Sequence, residues 1–242
     1  MIARRAALAQ LGIAATAVLT GCGIVGPWFP KYRFRLTVMM ETPGGLRTGS
    51  SVYEVKTSRT GEWLPASPNQ MGFAVRGQSV VVDLPGAALF TTLDPGWLGS
   101  VMINASEYHH RQTRSPSGLI EPAEIRAIAG DPVQLVLPRR FSDDDWNTGY
   151  PKMVRFRNER DPASVEWVNP DNLSASFGAG IRLNGLTVQI TQDPVGLGLS
   201  QRLAWLSDYA RSGKRLNGST NIAIADNLAN NNLGAGAFLS DD

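Results

Sequence analysis

Three groups of residues in this chain are of types that do chemistry. Cys22 is the only cysteine in 242 residues, and it closes the run Leu19-Thr20-Gly21-Cys22. His109 and His110 are the only histidines and sit side by side. Asp143, Asp145 and Asn147 alternate through Ser142-Asp143-Asp144-Asp145-Trp146-Asn147-Thr148-Gly149. A thiol is a nucleophile, a metal ligand or an acylation point. Imidazoles bind metals or move protons near neutral pH. Alternating oxygen ligands are how a loop holds calcium. What each group does depends on the segments around it.

Cys22 follows Arg4 and Arg5 and an uncharged stretch from Leu11 to Leu19. A basic start, a short apolar run and small residues before a cut describe a secretory signal. The run from Gly12 to Leu19 is too short to span a bilayer, which takes ~20 apolar residues. Leu19-Thr20-Gly21-Cys22 resembles the lipobox of bacterial lipoproteins. That resemblance implies a cysteine lipidated on sulfur, cleavage just before it, and acylation of the new N-terminus. It also implies an exported protein attached to a membrane through Cys22. Gly23 stands where an aspartate would favour the inner membrane, so the resemblance points to the outer one. Arg4-Arg5 lacks the aromatic residue that usually follows in a twin-arginine signal, which leaves the general secretory route as the default.

The histidines and aspartates make a weaker case for a site. Neighbouring residues on a strand point to opposite faces, so His109 and His110 form a ligand pair only within a loop. The body has no HExxH motif and no cysteine to join them, so zinc is poorly supported. In the aspartate loop, Thr148 occupies the place of the EF-hand glycine and Val154 that of the twelfth-position glutamate. The motif fails twice, and an acidic, solvated loop is the plainer reading. Glu121 and Glu124 read as ordinary first-turn acids. No serine lies in a G-x-S-x-G elbow, and no dinucleotide or P-loop motif is present.

Without residues 1–21, which carry Arg4 and Arg5 and no acid, the remaining basic residues equal the 21 acidic ones. A neutral body with scattered Lys and Arg excludes a nucleic-acid binder as the leading reading. Nor is there a polybasic run for anionic lipid. The absence of a second cysteine leaves the body without an internal disulfide.

The pattern from Tyr32 to Met40 alternates Phe34, Leu36, Val38 and Met40 with polar or neutral neighbours, which predicts a strand with one buried face. Thr42-Pro43-Gly44-Gly45 predicts a turn into a second strand over Ser51 to Thr57. Met71–Arg76 and Ser79–Leu84 flank Gly77-Gln78 as a hairpin candidate. Trp97 to Ala105, Val133 to Leu137, Met153 to Arg157, Ser164 to Val168 and Ile181 to Ile190 read as further strands, the last interrupted at Asn184-Gly185 by a bulge or bend. Leu199, Leu203, Leu206 and Tyr209 keep helical spacing, with Ser200 as cap and Gly213 as stop. The expected fold is mainly β: an antiparallel β-sandwich-like body with one late α-helix, and a two-layer α+β sheet as the alternative. The expected organisation is a lipoprotein signal over 1–21, a lipid-anchored tether over 22–30, a globular domain over 31–213 and a polar Asn/Gly-rich tail over 214–242.

From Tyr32 onward the wording resembles an uncharacterised family of bacterial exported proteins. The matching stretches include Tyr32–Val38 with Glu41-Thr42-Pro43, Arg47–Val52, Asp161–Val165, Pro170–Leu173, Phe177–Gly180 and Ile190–Val195. The resemblance implies one integrated domain; it implies no activity, cofactor or site residue. The functional expectation is a cell-envelope lipoprotein whose body is a non-enzymatic binding or structural module for an envelope protein or glycan. The competing expectation is a metal-dependent hydrolase in which the His109/His110 and Asp143/Asp145 loops converge.

Overall fold

The alternation that predicts the first strand is realised in full. β1 (Tyr32–Thr42) buries Phe34, Leu36, Val38, Met40 and Thr42 and leaves the residues between them half-exposed. A computed structural model describes residues 31–59, 71–99, 101, 133–135, 150–220 and 228–241. β1 turns at Pro43-Gly44 into β2 (Gly45–Arg59). Thr42 Oγ1 holds that turn, accepting from the Gly44 amide at 3.2 Å and donating to the Gly45 carbonyl at 2.7 Å. β2 begins six residues before Ser51, because the small, polar Thr48-Gly49-Ser50 stretch still pairs with Val38 and its neighbours.

Both sheets are antiparallel. The larger has the order β10-β3-β2-β1-β9-β6 and the smaller β4-β5-β7-β8. The remaining strands are β3 (Met71–Gln78), β4 (Val81–Leu84), β5 (Ala87–Thr91), β6 (Val133–Leu135), β7 (Met153–Phe156), β8 (Val165–Val168), β9 (Arg182–Ile190) and β10 (Leu239–Ser240). The expected hairpin about Gly77-Gln78 does not form. β3 pairs with β2 and β4 with β5, so this link carries the chain from one sheet to the other. Gly77 passes against the ring of Tyr53, and a Cβ there would meet Tyr53 Cδ1 at 2.5 Å. The tight turn that does form is Pro85-Gly86, where Gly86 takes φ +84. In β9, Asn184 is the extra residue of a bulge: Gly185 faces Met39 and Leu183 faces Met40.

The sheets pack face to face over a core that includes Phe34, Leu36, Met40 and Tyr53 from one and Val82, Leu89 and Met153 from the other. Close approach is possible because Gly49 of β2 lies under the Val81 carbonyl of β4. The segment expected as a strand from Trp97 is helical over 95–99, with Trp97 and Leu98 buried in the same core. Asp94 and Pro95 explain it. The Asp94 carboxylate accepts from the Trp97 amide at 3.1 Å, and proline suits a first helical position.

The smaller sheet is buried on its other face too. Ala88, Phe90, Val154, Phe156 and Val165 pack on Leu199, Leu203, Leu206, Leu216, Leu233 and Phe238. The expected late helix is two short ones, α2 (Leu199–Arg202) and α3 (Leu206–Ser212), and Gly198 rather than Ser200 is the N-cap. The split leaves Leu199, Leu203 and Leu206 all facing the sheet. Gly213 ends α3 in the left-handed region, φ 63. A short helix, α1 (Leu173–Phe177), precedes β9, and α4 (Ala229–Asn232) lies in the stretch read as a polar tail. Residues 228–241 are integrated rather than peripheral: Phe238 is fully buried and β10 extends the larger sheet beside β3. The molecule is thus mainly β, a sandwich with a third layer of short helices.

Candidate functional site

The residues singled out for chemistry, Cys22, His109, His110, Asp143 and Asp145, lie outside the described residues, as do Glu121 and Glu124. Among the described residues no group of three or more His, Cys, Asp or Glu side chains could hold a metal ion. No described helix is long and apolar enough to cross a membrane. Trp97 is core, and Trp205 closes an aromatic cluster with Phe156, Tyr209 and Phe238 at centroid distances of 5.5 to 6.2 Å.

Two of the charge clusters among the described residues bear on a site. The first is structural. Arg202 of α2 grips both Glu159 oxygens at 2.7 Å and Asp83 at 2.8 Å, and its guanidinium lies 5.5 Å from the Phe90 ring centroid. The Trp205 indole donates to the Glu159 carbonyl at 2.8 Å. These contacts pin the helical layer to the smaller sheet and leave the Arg202 charge fully matched.

The second is the outer face of the larger sheet. Because Tyr53 and Val55 point into the core, Glu54 and Lys56 point outward, and the same alternation turns Arg33, Arg35 and Arg76 outward. Register places Arg33, Glu54 and Arg76 directly opposite one another on β1, β2 and β3. Side chains so placed have Cβ atoms about 5 Å apart. Arg33 bonds Glu54 at 2.9 Å and Lys31 bonds it at 2.7 Å. Beneath them the Glu54 side chain is only 2% exposed. One row along, Arg35 pairs with Asp193. The Nε atoms of Arg35 and Arg76 are buried with no hydrogen-bond partner among the described residues. Lys56 is exposed. Asp241 follows β10 at the sheet edge.

Glu41 and Arg182 balance each other further along β1 and β9, and Lys31, Arg33, Arg35, Lys56 and Arg76 outnumber Glu54 and Asp193 on this face. Sequence reasoning missed the cluster because its members come from three strands. In the chain they are spaced apart and interleaved with apolar residues, so no polybasic run appears. The strand alternation held the signal: Arg33 and Arg35 both fall on the polar side of β1.

Burial pushes the Glu54 carboxyl up, but hydrogen bonds and charge from Lys31 and Arg33 outweigh it and hold it below the usual carboxylate range. Since the folded value is lower than the unfolded one, this contribution to stability is complete above the unfolded value of about 4.3 and is lost as pH falls through the folded value. The urea midpoint of the wild type should thus fall more steeply below pH 5 than that of Glu54→Gln, and equal slopes would refute the assignment.

The geometry offers a basic surface for an anionic partner. Among the described residues it shows no arranged nucleophile with its base. Comparison with protein-family models, with curated proteins and with solved structures yields no match.

Proposed function

We propose that the chain is a cell-envelope lipoprotein, anchored through Cys22, whose β-sandwich serves as a binding or structural module rather than a catalyst. The observation that carries the proposal is the sequence Leu19-Thr20-Gly21-Cys22 at the end of a short apolar leader. Its setting supports the reading: the first strand begins at Tyr32, directly after a stretch short enough to serve as a tether. The single cysteine is placed where a lipid would be attached, and the paired salt bridges and two packed cores describe a sturdy body. Each buried methylene of an acyl chain contributes ~0.8 kcal/mol, so more than one chain on Cys22 gives stable attachment. Gly23 favours the outer membrane as the destination, and the resemblance to exported proteins accords with it.

Cells supplied with labelled fatty acid should label the wild-type protein and recover it with the membranes. Cys22→Ser should carry no label and accumulate with its leader uncut. An unlabelled wild type would remove the basis of the proposal.

A further inference from the structure

We infer that the outer face of the larger sheet docks on the anionic phospholipid headgroups of the membrane that holds the anchor, an inference that rests on the Cys22 reading. The tether feeds directly into the charged face: Lys31, just before β1, and Arg33 and Arg35 within it are the first outward cations after the tether. Nine residues lead from Cys22 to Lys31. Fully extended they reach at most about 32 Å, and as a flexible coil about 15–18 Å. Anchored this way, the face stays within a short distance of headgroups at an effective concentration that no freely diffusing acidic partner matches. The Debye length at physiological salt is about 8 Å, so charges must come close to be felt, and the tether brings them close.

The chemistry of the face suits phosphate. Guanidinium forks match phosphate oxygens, and the Arg35 side chain, although paired with Asp193, is 38% exposed, while the Nε atoms of Arg35 and Arg76 are buried and face no headgroup. Glu54 is already neutralised by Lys31 and Arg33 and sits beneath them, 2% exposed, so it does not repel an approaching anion as a bare carboxylate would. Lys56 is exposed beside this row. The body apart from its leader is neutral overall, so attraction depends on the segregation of charge and vanishes when that segregation is broken.

The test uses the mature chain, residues 22–242, carrying Cys22→Ser, so that no acyl chain masks the effect. Its binding is read by co-sedimentation with vesicles of phosphatidylcholine alone or with about a third phosphatidylglycerol. Binding should require phosphatidylglycerol and disappear at about 0.5 M salt. Removing one cation should weaken it about fivefold, so the combined Arg35→Gln, Lys56→Gln and Arg76→Gln variant should weaken it by about a hundredfold. Lys56→Glu, at an exposed position, gives the same direction of change if the triple variant folds poorly. Equal binding to both vesicles, or binding indifferent to Lys56→Glu, overturns the inference. So does binding to a polyanionic glycan or an acidic peptide without binding to phosphatidylglycerol vesicles. If the wild type takes up labelled fatty acid but the vesicles show no preference, the docking face alone fails. If it takes up none, the anchor fails and the docking face with it.

Discussion

Gly49→Ala should lower the unfolding free energy by about 3 kcal/mol or more, among the larger effects available to any single methyl group in this protein. A Cβ at Gly49 would stand 1.9 Å from the Val81 carbonyl oxygen and 2.7 Å from its carbon. Both atoms are backbone, and they belong to β4, which is locked to β5 along its length. A side chain could rotate away; a paired strand cannot. The sheets must therefore part, and the contacts around Val82 and Leu84 loosen with them. At roughly 2–4 °C per kcal/mol for a body of this size, the melting temperature should drop by about 6–12 °C. Gly44→Ala is the control: its Cβ would meet only Thr42 Oγ1, at 3.8 Å, and should shift stability by less than about 0.5 kcal/mol. Equal melting temperatures for the two variants would mean that β4 does not cross β2 at Gly49.

Phe238→Ala should cost about 3–5 kcal/mol. Phe238 lies in the Asn/Gly-rich end of the chain, where a substitution in a solvated tail would cost almost nothing. It is instead fully buried, 5.5 Å from Phe156, 6.2 Å from Trp205 and 6.4 Å from Phe90 by ring centroids. Its own carbonyl accepts from the Ser79 amide at 2.8 Å, and that of Ala237 accepts from Leu93 at 2.7 Å. The C-terminal segment thus plugs the helical side of the smaller sheet and is hydrogen-bonded to the segments that flank β4 and β5. Urea unfolding should show the loss as a lower midpoint. A midpoint unchanged from wild type would contradict the packing.

These two residues also mark where the sequence is legible and where it is not. β1 follows from alternation, because it buries one face against a core and period two is the direct imprint of that burial, and β7, β8 and β9 fall within stretches whose composition reads as strand. The bulge at Asn184 follows from a glycine beside an asparagine inside a strand. The reach of β2 through Gly49 does not follow, since Thr48-Gly49-Ser50 has the composition of a loop. Only the neighbouring sheet makes glycine a requirement there. Phe238 is hidden for a related reason. One aromatic among asparagines and glycines has no periodicity to reveal it, and its importance comes from distant partners on β5 and β7. Gly77-Gln78 misleads because a glycine that links two sheets looks like one that turns a hairpin.

The basic face illustrates the same limit for function. Arg33 and Arg35 fall on the polar side of β1, but only register brings Glu54 and Arg76 into the row of Arg33. A composition that balances charge over the whole body conceals a surface that does not. His109, His110, Asp143 and Asp145 lie outside the described residues, so the larger sheet carries the functional argument together with Cys22.

Intact mass spectrometry of the protein extracted from membranes tests the account most directly. The expected chain starts at Cys22 and carries a diacylglyceryl thioether with an acylated amino group. A chain that retains Met1 to Gly21, or one whose Cys22 remains a free thiol, would contradict it.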